Sequence, residues 1–240
     1  AIPAVRKYLF GTQQKIAAEN NVIMDGRDIG TTVLPFATVK IYLTERELGR
    51  LKTVKTLNRS EGQIRDMFLI ASYTALRISD INRLNSATFS SDTITIQQQK
   101  TKNNVYVPIL KEIAELIGKY RQESFPILNV SSANSCIKEL ARRAGIDNMV
   151  MIPEIRGGVK TFKKMPKYTQ ISFHTARRSC ITNLYRRGYN ANYLMSLSGH
   201  KSIASFQRYI KSDAGEMSQE FIKELKKNVM KLQILLEKKS

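Results

Sequence analysis

Cysteine is scarce in this chain: there are two, Cys136 and Cys180, far apart in sequence. That excludes a disulfide framework and a cysteine-based zinc site, and it fits a reducing cytoplasm. Long apolar runs are also missing, so no segment is suited to span a bilayer as a helix. The opening residues, AIPAVRKYLFGTQQKIAAEN, lack the uninterrupted apolar stretch and cleavage site of a secretory signal. They lack an initiator Met as well, as a trimmed or partial chain would. Histidine is limited to two residues, His174 and His200. Acidic residues are the most telling shortage. Twenty Asp and Glu face 39 Lys and Arg, a net charge of +19.

A charge of that size opposes compaction, and a polyanion would relieve it. Nucleic acid is the leading candidate partner, because each phosphate neutralised by Lys or Arg releases condensed counterions. A basic protein that merely adheres to ribosomes or anionic membranes is the plainer alternative. The apolar fraction of 42% is too high for a disordered chain. The 240 residues suffice for one sizeable core and a small extra module.

The charge is unevenly placed. Residues 1–43 hold five basic and three acidic groups, a net of +2, which leaves +17 for the rest. Thr44-Glu-Arg-Glu47 reads as a capping box and marks a boundary. Beyond it the pattern is mostly helical, with helices expected over about Glu45–Leu57, from near Ser60 and from Ser79. Thr93–Gln98 and Val105–Leu110 alternate as strands, joined by a polar turn over Lys100–Asn104. Helices are expected over Lys111–Arg121 and Ala133–Arg143, the second ended by Gly145. Glu154–Gln170 reads as irregular and basic. Helical patterns resume over His174–Arg187, ended by Gly188, over Ala191–Leu197 and over Ala204–Ile210. The last helix, about 216–237, carries Ile222, Leu225, Val229, Leu232 and Leu236 as a narrow apolar seam suited to docking on a partner helix or groove.

Five pieces stand out: Arg77 in LRISD, Lys100 in QKTKN, His174 and Arg177 in HTAR, His200 in SGH, and Tyr209 in RYI. Singly, each has an ordinary account. Arg77 could pair with Asp80, Lys100 could be a turn lysine with Lys102 as a rival, and His174 could cap a helix. His200 could be a satisfied turn residue, and Tyr209 a half-buried aromatic. Jointly they suit attack on a phosphodiester. Two guanidinium forks can clamp non-bridging oxygens. A phenol can act as nucleophile, and an amine can protonate the departing oxygen. No carboxylate cluster suited to Mg²⁺ accompanies them, so the expectation is chemistry without metal or ATP and without a cofactor.

The segments ALRISDINRL, QQKTKNNVYVP, FHTARRSCITNLYRRG and LSGHKSIASFQRYIK resemble the catalytic domain of the tyrosine recombinase (phage integrase) family, in the flavour of Bacteroidetes mobile-element integrases. The resemblance covers about residues 44–240. It implies a mainly α fold with a small antiparallel β hairpin or sheet, as in DNA breaking-rejoining enzymes. It implies that Arg77 and Arg177 clamp the phosphate, that His174 accepts a proton or donates to the phosphate, and that His200 is a second phosphate ligand. It makes Tyr209 the nucleophile of a 3′-phosphotyrosyl bond, Lys100 the acid for the 5′-hydroxyl, and Asp80 the brace of Arg77. Asp80 and Ser198-Gly199-His200 depart mildly from the family's usual Glu and Leu-Gly-His. His174 favours recombination over type IB topoisomerase relaxation. The implied partners are double-stranded DNA, three further copies in a homotetramer on two recombining sites, and accessory bending or directionality factors; no membrane is involved. Arg142, Arg143, Lys160, Lys163, Lys164 and Lys167 are candidates, with Lys102, for tracking the DNA backbone, a solvated surface being the alternative for each. An inactive DNA-binding remnant is the competing reading of the whole.

That family places a core-binding domain ahead of the catalytic one, and no such pattern is found here. Residues 1–43 instead resemble the middle of bacterial cytidylate kinase, with Arg6 and Asp25-Gly26-Arg27-Asp28 at positions that hold a nucleoside monophosphate. The phosphate-cradling Gly-x-x-x-x-Gly-Lys-Ser/Thr loop is absent, so no kinase activity is expected. Asn21–Met24 and Thr38–Leu43 would be strands cut from a larger sheet, poorly ordered or weakly docked.

Overall fold

The computed structural model describes residues 41–85, 88–100, 102–156 and 159–200, with Thr12 and Phe206, and gives residues 153–156 and 159–160 by backbone alone. The Thr44 box starts the first helix, α1 (Glu45–Thr53): the Thr44 hydroxyl accepts from the Glu47 amide, and the Thr44 amide donates to the Glu47 carboxylate at 2.8 Å. Asn58 caps α2 (Arg59–Thr74), its side-chain oxygen accepting from the Glu61 amide at 2.9 Å. This helix is buried almost all round, through Met67, Phe68, Ile70 and Ala71, and is the axis of the core. Such a helix needs neighbours on several sides, and α2 packs against α1, α4 (Lys111–Glu123), α5 (Val130–Arg143) and α6 (Phe173–Arg186). Phe68 and Phe173 meet edge to face at 5.4 Å where α2 crosses α6. The short α3 (Ile78–Ile81) follows α2, and α7 (Ala191–Ser198) follows α6.

Two antiparallel hairpins complete the architecture. In the first, β1 (Thr93–Gln97) pairs with β2 (Asn104–Pro108), with Ile94 opposite Val107 and Ile96 opposite Val105. These four side chains are buried while Tyr106 faces solvent, the alternation expected of a half-buried ribbon. The second hairpin, β3 (Met149–Arg156) with β4 (Val159–Pro166), corrects the expectation of an irregular Glu154–Gln170. Pro153 argues against a strand in sequence, yet a two-stranded ribbon leaves every second backbone N–H unneeded, so proline is tolerated there. A 3₁₀ turn, Lys167–Gln170, leads from this hairpin into α6.

Residues 41–43 correct the expected strand at its C-terminal end: they have no regular structure, yet Leu43 is fully buried. The Ser179 hydroxyl accepts from its amide at 2.7 Å, and the Asn183 side-chain amide donates to its carbonyl at 2.9 Å. Two α6 side chains one turn apart thus replace the ladder that a sheet would have provided. The expected strand Asn21–Met24, the helix over Ala204–Ile210 apart from Phe206, and the apolar seam of 216–237 lie outside the described residues.

Candidate active site

The site is built where the C-terminal end of α2, the first hairpin, α6 and α7 meet. Helix α2 ends at Ala75, which adopts a left-handed conformation (φ 55°). The reversal costs an alanine about 1–2 kcal/mol, and it places Arg77 two residues on, at the N-cap of α3. Arg77 Nη1 donates to Gln98 Oε1 at 3.0 Å and lies 3.7 Å from Asp80 Oδ2. The other oxygen of the buried Asp80 accepts from the Gln99 amide at 3.0 Å. Asp80 therefore holds both the guanidinium and the start of the hairpin turn.

That turn is closed by two backbone bonds, Gln98 N–H to the Asn103 carbonyl and Lys102 N–H to the Gln98 carbonyl. Lys100 is exposed at its tip, and Lys102, also exposed, takes a left-handed conformation (φ 56°). Gln98 itself is fully buried. Its Nε2 donates to the Ser198 carbonyl at 3.3 Å while its Oε1 receives Arg77.

Arg177 reaches the same carbonyl. It is among the most buried large side chains, and its guanidinium donates from Nη1 to the Ala75 carbonyl and from Nη2 to the Ser198 carbonyl. The planar fork presents one N–H to each of two fixed acceptors, a spacing that a lysine's compact ammonium does not reproduce. The Ser198 side chain turns the other way. Its hydroxyl lies 2.5 Å from the Leu194 carbonyl and 2.6 Å from His200 Nδ1, and the His200 ring packs edge-on against Phe206. Arg77, Arg177 and His200 are thus joined through Gln98 and Ser198. Neither bridging residue is legible in sequence, because a Gln two places before a turn lysine and a Ser before Gly-His carry no charge or periodic signal.

His174 sits one position inside α6, three residues before Arg177 and on the same side of the helix. Burial drives its pKa down to about 3, helped by the positive charges of Arg178, Arg177 and Arg77. It is therefore a neutral imidazole at neutral pH, able to accept a proton. Arg178 joins this cationic setting; as the second Arg of HTARR it carries no motif signal of its own. Cys180 lies one turn beyond Ala176, and burial pushes its thiol up to about 12, so it stays an unreactive thiol.

The remaining expected residues divide. Tyr209 lies outside the described residues, and so does the side chain of Lys160. Lys163 and Lys164 are exposed on β4. Lys167 is not: its ammonium donates to both Glu47 oxygens at 2.8 Å, with the two side chains 13% and 6% exposed. Burial raises the Glu47 carboxyl, but Lys167 and Thr44 outweigh it and leave it below the ordinary carboxylate value. Arg143 is spent on Glu61, at 2.6 Å, and on the Lys55 carbonyl. Arg142 makes a two-pronged pair with Glu139. These three cations face carboxylates rather than an open anion site. Among the described residues no three His, Cys, Asp or Glu side chains gather as a metal site, and no helix is long and apolar enough to cross a membrane.

Comparison with known proteins bears on the fold. The solved fold of XerA recombinase superposes with a TM-score of 0.58 at 18% identity, over 78% of this chain and 65% of that one. A lambda integrase (75–356) dimer bound to a COC′ core site gives 0.55 at 16% identity, over 88% and 73%. The Tn1549 transposon integrase in complex with a circular intermediate DNA gives 0.53 at 14% identity, over 78% and 66%. At these identities the likeness is one of fold. Cytidylate kinase matches residues 1–63. The cytidylate kinase of Limosilactobacillus reuteri (strain DSM 20016) is 32% identical over 127 residues, 51% of this chain and 54% of that protein. That of Carboxydothermus hydrogenoformans is 64% identical over 44 residues, 18% and 20%. The chain spans about half the length, or less, of these curated relatives. The phage integrase family matches residues 42–216, most of the chain and all the elements that build the site. The chain belongs to the phage integrase family, and its residues 1–63, which overlap the start of that match, are similar to cytidylate kinase.

Proposed function

We propose that the chain is a site-specific DNA strand transferase that cuts and rejoins DNA through a 3′-phosphotyrosyl intermediate during integration or excision of a mobile element. The observation that carries this reading is the shared Ser198 carbonyl, which holds Arg177 directly and Arg77 through Gln98, so that the two guanidinium groups are fixed in one hydrogen-bonded set. Preorganised guanidinium donors favour the charge that gathers on a phosphorus under attack. In the first step the Tyr209 phenol oxygen bonds to phosphorus and the bond to the 5′-oxygen breaks. The phenol proton passes to neutral His174, and the 5′-oxygen takes a proton from Lys100. Rejoining reverses the step with a 5′-hydroxyl of a new strand.

The substrate is double-stranded DNA, and four copies on two sites would each cut one strand. Lys163, Lys164 and Lys102 are the exposed cations suited to the backbone. The DNA-bound lambda and Tn1549 relatives support this partner. Two domains are part of the proposal: a strand-transferase unit over about residues 44–240, and a preceding segment, residues 1–43, without kinase activity.

A nicked duplex whose short 5′-product diffuses away tests the reading. The chain should accumulate a covalent adduct of protein and DNA, and Tyr209→Phe should lose it. No adduct from the unaltered chain on any integrase-type core site refutes it.

A further inference from the structure

Ser198 has one hydroxyl proton and three neighbours for it, the Leu194 and Met195 carbonyls at 2.5 and 3.3 Å and His200 Nδ1 at 2.6 Å. The Leu194 carbonyl, at 2.5 Å, can only accept. If the hydroxyl donated instead to His200 Nδ1, two oxygen lone pairs would face each other at that distance. The proton therefore goes back to Leu194, the bond a serine commonly makes one turn earlier on its helix. His200 Nδ1, 2.6 Å from the same oxygen, must then be the donor.

The hydroxyl is also held rigidly. Ser198 is fully buried, its carbonyl receives Arg177 and Gln98, and Gly199 follows in a left-handed cap (φ 67°) that returns the His200 amide to the Met195 carbonyl at 3.0 Å. The His200 ring has Phe206 against it, 5.7 Å between centroids. Both the oxygen and the ring are fixed, so the proton count of the hydroxyl decides which way the Nδ1 contact runs.

We propose that Ser198 is a positioning residue that fixes the proton of neutral His200 on Nδ1, so that His200 acts on a phosphate through Nε2 alone. Nε2 then takes a proton from solvent or substrate before it donates to a phosphate oxygen, and the ring meets the phosphate as an imidazolium. The second half rests on the strand-transferase reading above; the tautomer does not. The chain's two histidines also divide the work, since neutral His174 accepts the phenol proton while His200 donates a hydrogen bond to a phosphate oxygen and keeps its proton.

The tautomer is read directly from ring ¹⁵N signals of the full chain labelled at histidine. With only two histidines, His174→Gln assigns the spectrum. The neutral His200 ring should carry its proton on Nδ1. Ser198→Ala should move it to Nε2, and Ser198→Thr, which keeps the hydroxyl, should return it to Nδ1. A ring protonated on Nε2 in the unaltered chain overturns the proposal, as does a tautomer that Ser198→Ala leaves unchanged. On nicked DNA, Ser198→Ala should slow adduct formation about tenfold, with the loss greatest at high pH, and Ser198→Thr should recover most of it. A shifted tautomer with an unchanged rate overturns the functional half. An unaltered chain with the Nδ1 proton but no adduct overturns the strand-transferase reading and leaves the tautomer standing.

Discussion

Gly199 lies so close to Gln98 that a β-carbon on it would overlap the Gln98 Oε1 and stand 2.8 Å from its Cδ. This close approach joins the end of α7 to the base of the hairpin that carries Lys100. Gly199→Ala should therefore displace the Gln98 bridge as well as strain a backbone at φ 67°. We expect a loss of about 2–3 kcal/mol in chemical denaturation. Gly188→Ala, at φ 88° but with open space around it, should cost about 1 kcal/mol. Gln98→Ala should absorb part of the Gly199→Ala cost, so the double variant should be more stable than the sum of the singles.

His174 gives a pH prediction. Its pKa falls to about 3 in the fold, against about 6.5 in an unfolded chain. The unfolded chain then binds a proton that the folded one refuses. Its contribution to stability is complete above pH 6.5 and is lost as pH falls from there toward 3. NMR titration should show one of the two histidines unprotonated at pH 5. His174→Gln should flatten the acid limb of the stability curve. Binding of DNA should raise the His174 pKa, because a phosphate offsets Arg77, Arg177 and Arg178.

The salt dependence of DNA binding separates the lysines. Lys163→Ala and Lys164→Ala should each shallow the log–log slope by about 0.9 per phosphate left unneutralised. Lys167→Ala should leave the slope unchanged and instead lower stability by about 2–3 kcal/mol, since it strands the buried Glu47. Glu47 has a depressed pKa, so the stability it contributes is present above the ordinary carboxylate pKa and is lost as pH falls through the lowered one.

Arg177→Lys should keep the charge but lose one of the two carbonyl partners, Ala75 or Ser198. Adduct formation on nicked DNA should drop by about 100-fold, while DNA affinity falls far less. Equal losses in both would make Arg177 a binding group only.

Most of the helical frame, and the candidates for the reactive side chains, can be read from the order of amino acids alone. The Thr44 box, Asn58, Gly145 and Gly188 are local signals, since a cap or a left-handed turn is settled within a few residues. The order Arg77, Lys100, His174, Arg177, His200 is legible because charge and rare imidazoles survive in a string of letters. Whatever depends on distance across the chain belongs to the folded arrangement. It alone puts Glu154–Arg156 and Val159–Pro166 into a ribbon, because a pairing partner outweighs a proline's local preference. It alone spends Lys167 and Arg143 on carboxylates more than 80 residues away. It also makes the uncharged Gln98 and Ser198 the joints of the site, because a side-chain amide and a carbonyl matter only where burial denies their neighbours water.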